Sequence, residues 1–144
     1  MNRPSEERAE CRISIVESWD NEHAVIETRD FARSLSFGVA DQMLLATAAS
    51  ELCMNILRYA GRGELCLSEI RREGRQGMEI LAVDKGPGIP DVEKAMQEHF
   101  TTTKGSLGLG LPSVRRIMDD FEIVSSPENG TRVRACKWKV CRES

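Results

Sequence analysis

The sequence predicts an α+β fold, a two-layer sandwich with helices on one face of a mixed, mostly antiparallel sheet. Three observations carry this expectation. Residues 11–16, 64–70, 78–83, 121–125 and 131–138 are alternating or β-branched runs that read as strands. Residues 22–35, 40–60 and 109–121 carry apolar side chains at helical spacing. Two of the strand pairs are separated only by short polar turns, and helices fill the gaps between the pairs, which is the pattern of helices segregated to one side of a sheet.

In chain order, residues 1–10 are polar and charged and predict a disordered tail, leaving 11–144 as a single domain. Asp20 is a candidate cap for the first helix, which carries Ala24, Val25, Ile26, Phe31, Ala32 and Leu35, and Gly38 is its expected stop. The second helix presents Leu44, Leu45, Ala48, Leu52, Ile56 and Leu57 on its apolar face and ends at Gly61. Residues 71–77 form a polar hairpin turn containing Gly74 and Gly77. Pro90 and Asp91 open a short helix through Met96. Residues 99–106 are polar and threonine-rich, the expected lid of a pocket. Leu111, Val114, Ile117 and Met118 line the third main helix, and residues 127–130 turn the final hairpin.

Composition bounds the function classes. A net charge of −3 and a pI near 5.5 argue against broad nucleic-acid binding, which needs a basic surface. No apolar run approaches the ~20 residues of a membrane span, and the polar start does not read as a signal peptide. Five cysteines, an odd number without a CxxC pair, read as reduced thiols of a cytoplasmic protein. His23 and His99 stand singly and read as surface residues.

The residues with chemistry cluster between Met78 and Val114. An apolar strand ends in Asp84, followed by Lys85-Gly86-Pro87-Gly88-Ile89-Pro90. Further on, Gly105, Gly108 and Gly110 precede a helix. This is neither the GxxxxGK[ST] of a P-loop nor a GxGxxG directly after a strand, and by itself the pattern also suits caps and turns. Glu51 and Asn55 lie four residues apart, on one face of the second helix. They are either a solvated edge or a carboxylate and an amide oxygen aimed at a magnesium–phosphate site, since hard cations take oxygen ligands.

Together, Glu51-Leu52-Cys53-Met54-Asn55, Asp84-Lys85-Gly86-Pro87-Gly88-Ile89, Gly108-Leu109-Gly110-Leu111 and Gly130-Thr131 resemble the four boxes of the Bergerat-fold (GHKL) ATPases. The short chain lacks a helical hairpin with a phosphorylatable histidine, and it is most similar to the small anti-sigma serine/threonine kinases, in particular the RsbT type of the stressosome. The resemblance runs from Cys11 to Trp138.

That resemblance implies ATP and Mg2+ as cofactors, and it implies roles. Asp84 accepts the adenine amino group, directly and through a water shared with Thr131. Gly86, Gly88 and Ile89 approach base and ribose. Asn55 holds magnesium, and Glu51 is the general base for the acceptor hydroxyl. Gly105, Leu107, Gly108, Leu109, Gly110 and Leu111 offer backbone N–H groups to the phosphates. Lys104 meets the γ-phosphate or is a solvated lid lysine, and Arg58 contacts phosphate or acceptor or is a surface residue. The implied function is a partner-switching kinase that phosphorylates STAS-domain scaffold and antagonist proteins (RsbS- and RsbR-like) and, once released, activates a PP2C-type phosphatase (RsbU-like). The alternatives are an anti-sigma factor kinase of the RsbW or SpoIIAB type and a non-catalytic ATP-binding module.

Overall fold

The computed structural model describes residues 10–96 and 110–140. The expected tail over 1–9 and the expected lid over 99–106 lie outside the described residues, but Glu10 belongs to the first strand. The elements follow the order β1 (Glu10–Ile15), α1 (Asp20–Ser34), α2 (Val39–Tyr59), β2 (Gly63–Arg72), β3 (Arg75–Asp84), α3 (Val92–Ala95), α4 (Leu111–Ile117), β4 (Asp120–Ser126) and β5 (Gly130–Trp138).

The strands form one sheet in the order β1-β2-β3-β5-β4, with every pairing antiparallel. Among the described residues the sheet is wholly antiparallel rather than mixed, and the connections explain why. The chain leaves β1 at Ile15 and re-enters at its partner Gly63. The two helices between them carry it down the sheet and back, so β2 must run opposite to β1. The crossover from β3 to β4 does produce two strands of the same direction, because both are antiparallel to β5. But β5 lies between them, and no parallel pair is made.

One face of the sheet is apolar and buried. Ile13, Leu65, Ala82, Val133 and Ile123 form one cross-strand row, and Cys11, Leu67, Ile80, Ala135 and Phe121 the next. Leu45, Ala48, Ala49, Leu52, Cys53 and Ile56 of α2 pack against these rows. Each fully buried leucine or isoleucine stabilises the fold by roughly 1.5–3 kcal/mol. Leu44, expected on this face, is 36% exposed, because it lies one position off the stripe set by Leu45, Ala48 and Leu52.

Three local expectations change. Asp20 does not cap α1; its carboxylate accepts the Val16 and Glu17 N–H groups, each at 2.9 Å, and closes the turn from β1. Helix α1 ends at Ser34, and Ser36 rather than Gly38 supplies its stop. Ser36 takes the left-handed conformation (φ 66), its N–H bonds the Arg33 carbonyl, and the Phe37 N–H reaches back to Ala32, the Schellman pattern. Gly38 instead begins α2. Helix α4 is seven residues, well short of 109–121. Asp119 bonds β5 at both ends, through its N–H to the Cys136 carbonyl and its carboxylate to the Trp138 N–H, and strand pairing from Asp120 onwards replaces further helix. The β2–β3 hairpin closes in two residues, Glu73 and Gly74, both with positive φ, the I′ geometry that matches strand twist.

Candidate functional site

Three polar side chains lie in one row at the end of the sheet. Asp84 closes β3 opposite Thr131 of β5, and Thr131 is opposite Ser125 of β4. Strand alternation places all three on the face that α2 covers. Asp84 is 6% exposed. Its Oδ1 accepts the Gly86 N–H at 2.9 Å and the Thr131 N–H at 3.2 Å. The first bond is an Asx turn that bends the chain out of the strand. The carboxylate is thus held by one oxygen, and Oδ2 accepts no hydrogen bond from another described residue.

The loop after Asp84 is packed against protein on both sides. A Cβ on Gly86 would lie 2.7 Å from the Cα of Ala60, at the end of α2. A Cβ on Gly88, whose φ is +83, would lie 2.7 Å from the Ser126 carbonyl oxygen. These two positions exclude a side chain because of their neighbours in the fold, a demand additional to the expected approach to a base. The Ile89 side chain is buried in the core, and its N–H donates to Ser125 Oγ at 2.7 Å. Ser125 Oγ also bonds Thr131 Oγ1 at 2.8 Å. Ser125 is the site residue that sequence reading misses. Its signal is the strand register, which pairs Ser125 with Thr131 across the final hairpin.

Helix α2 forms the opposite wall. Glu51, Asn55 and Arg58 follow at positions i, i+4 and i+7, one stripe of the helix. Asn55 shares a cavity of about 10 Å³ with Leu52, Ile56, Ala82, Asp84, Thr131 and Val133, room for about one water molecule. Glu51 is 7% exposed. Burial pushes its carboxyl above the ordinary value, partly offset by the nearby Arg58 guanidinium, which is itself exposed. A carboxylate raised this way is better matched to accepting a proton near neutral pH. Cys53, between Glu51 and Asn55, faces the core, and burial drives its thiol up to about 12, so it is a space-filling residue there.

The site therefore brings Asp84, Thr131 and Asn55 together, with Glu51 one turn away on the same helix. Gly110 stands before α4 with its carbonyl accepting Ser113 Oγ at 2.8 Å, and Leu111 turns its side chain into the core, leaving only backbone for a ligand. Lys104, Gly105, Leu107, Gly108 and Leu109 lie outside the described residues. Three larger surface hollows include neither Asn55 nor Thr131. One, of about 550 Å³, lies beside Ser36, Asp41 and Lys139; a second, of about 500 Å³, lies on the open sheet face at Arg12, Cys66 and Leu81 and reaches Asp84; a third, of about 240 Å³, lies between α1 and α2 at Arg29 and Met43.

The donor set suits an adenine nucleotide, with a free carboxylate oxygen beside a hydroxyl at a buried strand end. For magnesium it supplies one amide oxygen. Among the described residues no three His, Cys, Asp or Glu side chains gather as a metal cage. Magnesium accepts such sparse protein ligation when phosphates and water complete its shell. His23 pairs with Glu27 at 3.5 Å on the surface of α1, and the Cys11, Cys53, Cys66 and Cys136 thiols are free.

Comparisons with known proteins agree with this layout. A model of the histidine kinase-like ATPase domain matches residues 18–137. The serine/threonine-protein kinase RsbT of Bacillus subtilis (strain 168) is 43% identical over 126 residues, 88% of this chain and 94% of that protein. The anti-sigma F factor of Caldanaerobacter subterraneus subsp. tengcongensis is 34% identical over 113 residues, 75% of this chain and 78% of its own length. Among solved structures, a chain of the SiaB–SiaC complex from Pseudomonas aeruginosa superposes with a TM-score of 0.52 at 12% identity, covering 91% of this chain and 89% of the other. That last likeness is one of fold.

Proposed function

This chain belongs to the histidine kinase-like ATPase family and is a protein serine/threonine kinase of its small regulatory branch, and on that premise we propose that it acts by partner switching. The observation that carries the site assignment is the hold on Asp84. Two backbone N–H groups occupy one carboxylate oxygen, and the other is left for a ligand beside Thr131 and Asn55.

In this reading ATP supplies the transferable phosphoryl group, and Mg2+ bound beside Asn55 would neutralise its charge. Phosphoryl transfer asks mainly for positioning and charge stabilisation. Asp84 Oδ2 accepts the adenine amino group. Asn55 offers its side-chain oxygen to the metal. Gly110 and Leu111 contribute backbone at the phosphate end. Glu51 takes the proton from the hydroxyl of a serine or threonine on the partner, and its raised affinity for protons favours that step. Arg58, in the same stripe, opposes that rise and so favours the charged form.

The partners we propose are STAS-domain scaffold and antagonist proteins, with a PP2C-type phosphatase activated by the released kinase in the cytoplasm. Similarity to RsbT over nearly all of both chains supports this assignment. The test is transfer of labelled phosphate from ATP to a STAS-domain partner. Wild type should label it, and Glu51→Ala should retain ATP binding and lose labelling. Absence of labelling by the wild type across STAS partners would favour a non-catalytic binding module.

The similarity to anti-sigma F factors favours a second reading, in which the chain binds a sigma subunit directly. Capture experiments with a purified sigma factor and a purified PP2C-type phosphatase separate the two.

A further inference from the structure

We infer that Ser125 is a positioning residue that sets the hydrogen-bond polarity of Thr131 and thereby contributes to selection of adenine over guanine. The inference rests on the nucleotide site proposed above. Ser125 Oγ joins three segments: its own strand β4, Thr131 on β5 at 2.8 Å, and the Ile89 N–H of the loop after β3 at 2.7 Å. The Ile89 N–H can only donate, so Ser125 Oγ must accept there. A serine hydroxyl has one proton of its own. Its oxygen keeps a second lone pair, so what orients the pair is that proton: among the hydrogen bonds of the described residues Thr131 Oγ1 is the acceptor open to it, and we assign it there.

Thr131 then receives a proton from Ser125, and its own hydroxyl proton is free to point into the cavity it shares with Asp84 and Asn55. The pocket edge becomes a donor, Thr131, next to an acceptor, the Asp84 carboxylate. Adenine presents the complement: an amino donor at position 6 and a ring-nitrogen acceptor at position 1. Guanine presents the reverse, a carbonyl and an N–H. A site whose buried polar groups would be left mismatched discriminates strongly against the wrong ligand. Ser125 would make this arrangement stable, because without it Thr131 can turn its hydroxyl either way.

The experiment measures ATP and GTP affinity by calorimetry for wild type, Ser125→Ala, Ser125→Thr, Thr131→Val and the Ser125→Ala/Thr131→Val double variant, with a thermal melt of each. Ser125→Ala should weaken ATP binding roughly three- to tenfold, the scale of one hydrogen bond, and narrow the ATP-over-GTP preference. Ser125→Thr should restore both. In the Thr131→Val background the serine substitution should no longer change the preference, which a purely structural role for Ser125 would not produce. If Ser125→Ala keeps the wild-type ratio of the two affinities, or changes it equally with Val at 131, the inference is overturned while the site stands. If wild type binds neither nucleotide, the site assignment and this inference fall together.

Discussion

Asp84 and Thr131, 47 residues apart in sequence, are locked together by a 3.2 Å hydrogen bond from the Thr131 backbone N–H to Asp84 Oδ1. Since the Gly86 N–H uses the same oxygen, the carboxylate has a fixed orientation before any ligand arrives. In Asp84→Asn the amide oxygen can keep both bonds, but its NH2 then faces the pocket, where a donor meets the amino group of adenine. ATP affinity should fall on the order of 100-fold, the cost of a lost charge-assisted bond plus a donor clash. Calorimetric titration checks it, and undiminished affinity would refute the pocket.

Glu51→Gln should separate chemistry from folding. Phosphate transfer should drop by about 10² to 10⁴, the range of a lost general base. Stability should move the other way. Burial raises the Glu51 carboxyl in the folded state, so the stabilisation linked to its protonation is full below the ordinary 4.5 and is lost as pH rises through the raised value. Above that range the charged form carries a desolvation cost in this buried site, which glutamine lacks. Thermal melts should show the variant more stable than wild type at pH 7, with the gap closing below pH 4.5. A constant gap across that window would contradict the assignment.

Asn55→Ala should remove the metal-dependent part of nucleotide binding. Wild type should bind ATP more tightly with Mg2+ than with a chelator, and the variant should bind equally in both conditions at roughly the chelator level. The comparison is a pair of titrations, and a preserved magnesium effect would show that another group holds the cation.

Gly88→Ala tests the close packing of the loop on β4. The left-handed backbone alone costs about 1–2 kcal/mol with a Cβ, and the Ser126 carbonyl oxygen 2.7 Å away adds to that. Melting should fall by several degrees. Gly38→Ala is the control, because a Cβ there meets nothing within 4 Å and φ is −67.

Thr28 carries a buried hydroxyl without a hydrogen-bond partner among the described residues, between α1 and the core. Thr28→Val keeps the shape and removes the unsatisfied group. It should stabilise the protein by about 1 kcal/mol in chemical denaturation, with kinase activity unchanged. A loss of stability would mean that the hydroxyl finds a partner.

Much of the site is legible in the amino-acid sequence. Glu51 and Asn55 are readable because a helix repeats every 3.6 residues, and Asp84 because an apolar run ends there in a charge and two glycines. The departures share a cause, contacts that sequence spacing does not encode. Gly38 has the composition of a helix stop, but the Schellman bonds of Ser36 and Phe37 end α1 ahead of it. Residues 118–121 keep helical spacing, yet Asp119 and Asp120 find partners on β5. Gly86 and Gly88 are read as approaching base and ribose, and the fold adds a second demand that spacing does not encode, room for Ala60 and Ser126.

What the sequence alone determined is local and periodic: which stretches bury a face, which helix carries a carboxylate and an amide one turn apart, and which strand ends in an acid. What only the tertiary structure decided is the row Asp84, Thr131 and Ser125. That row depends on β5 inserting between β3 and β4, and on the register that follows. Cross-strand pairing joins residues far apart in the chain through backbone bonds that any side chain can make. Side-chain pattern therefore predicts that a strand exists and which face it buries, but not which residue will stand opposite.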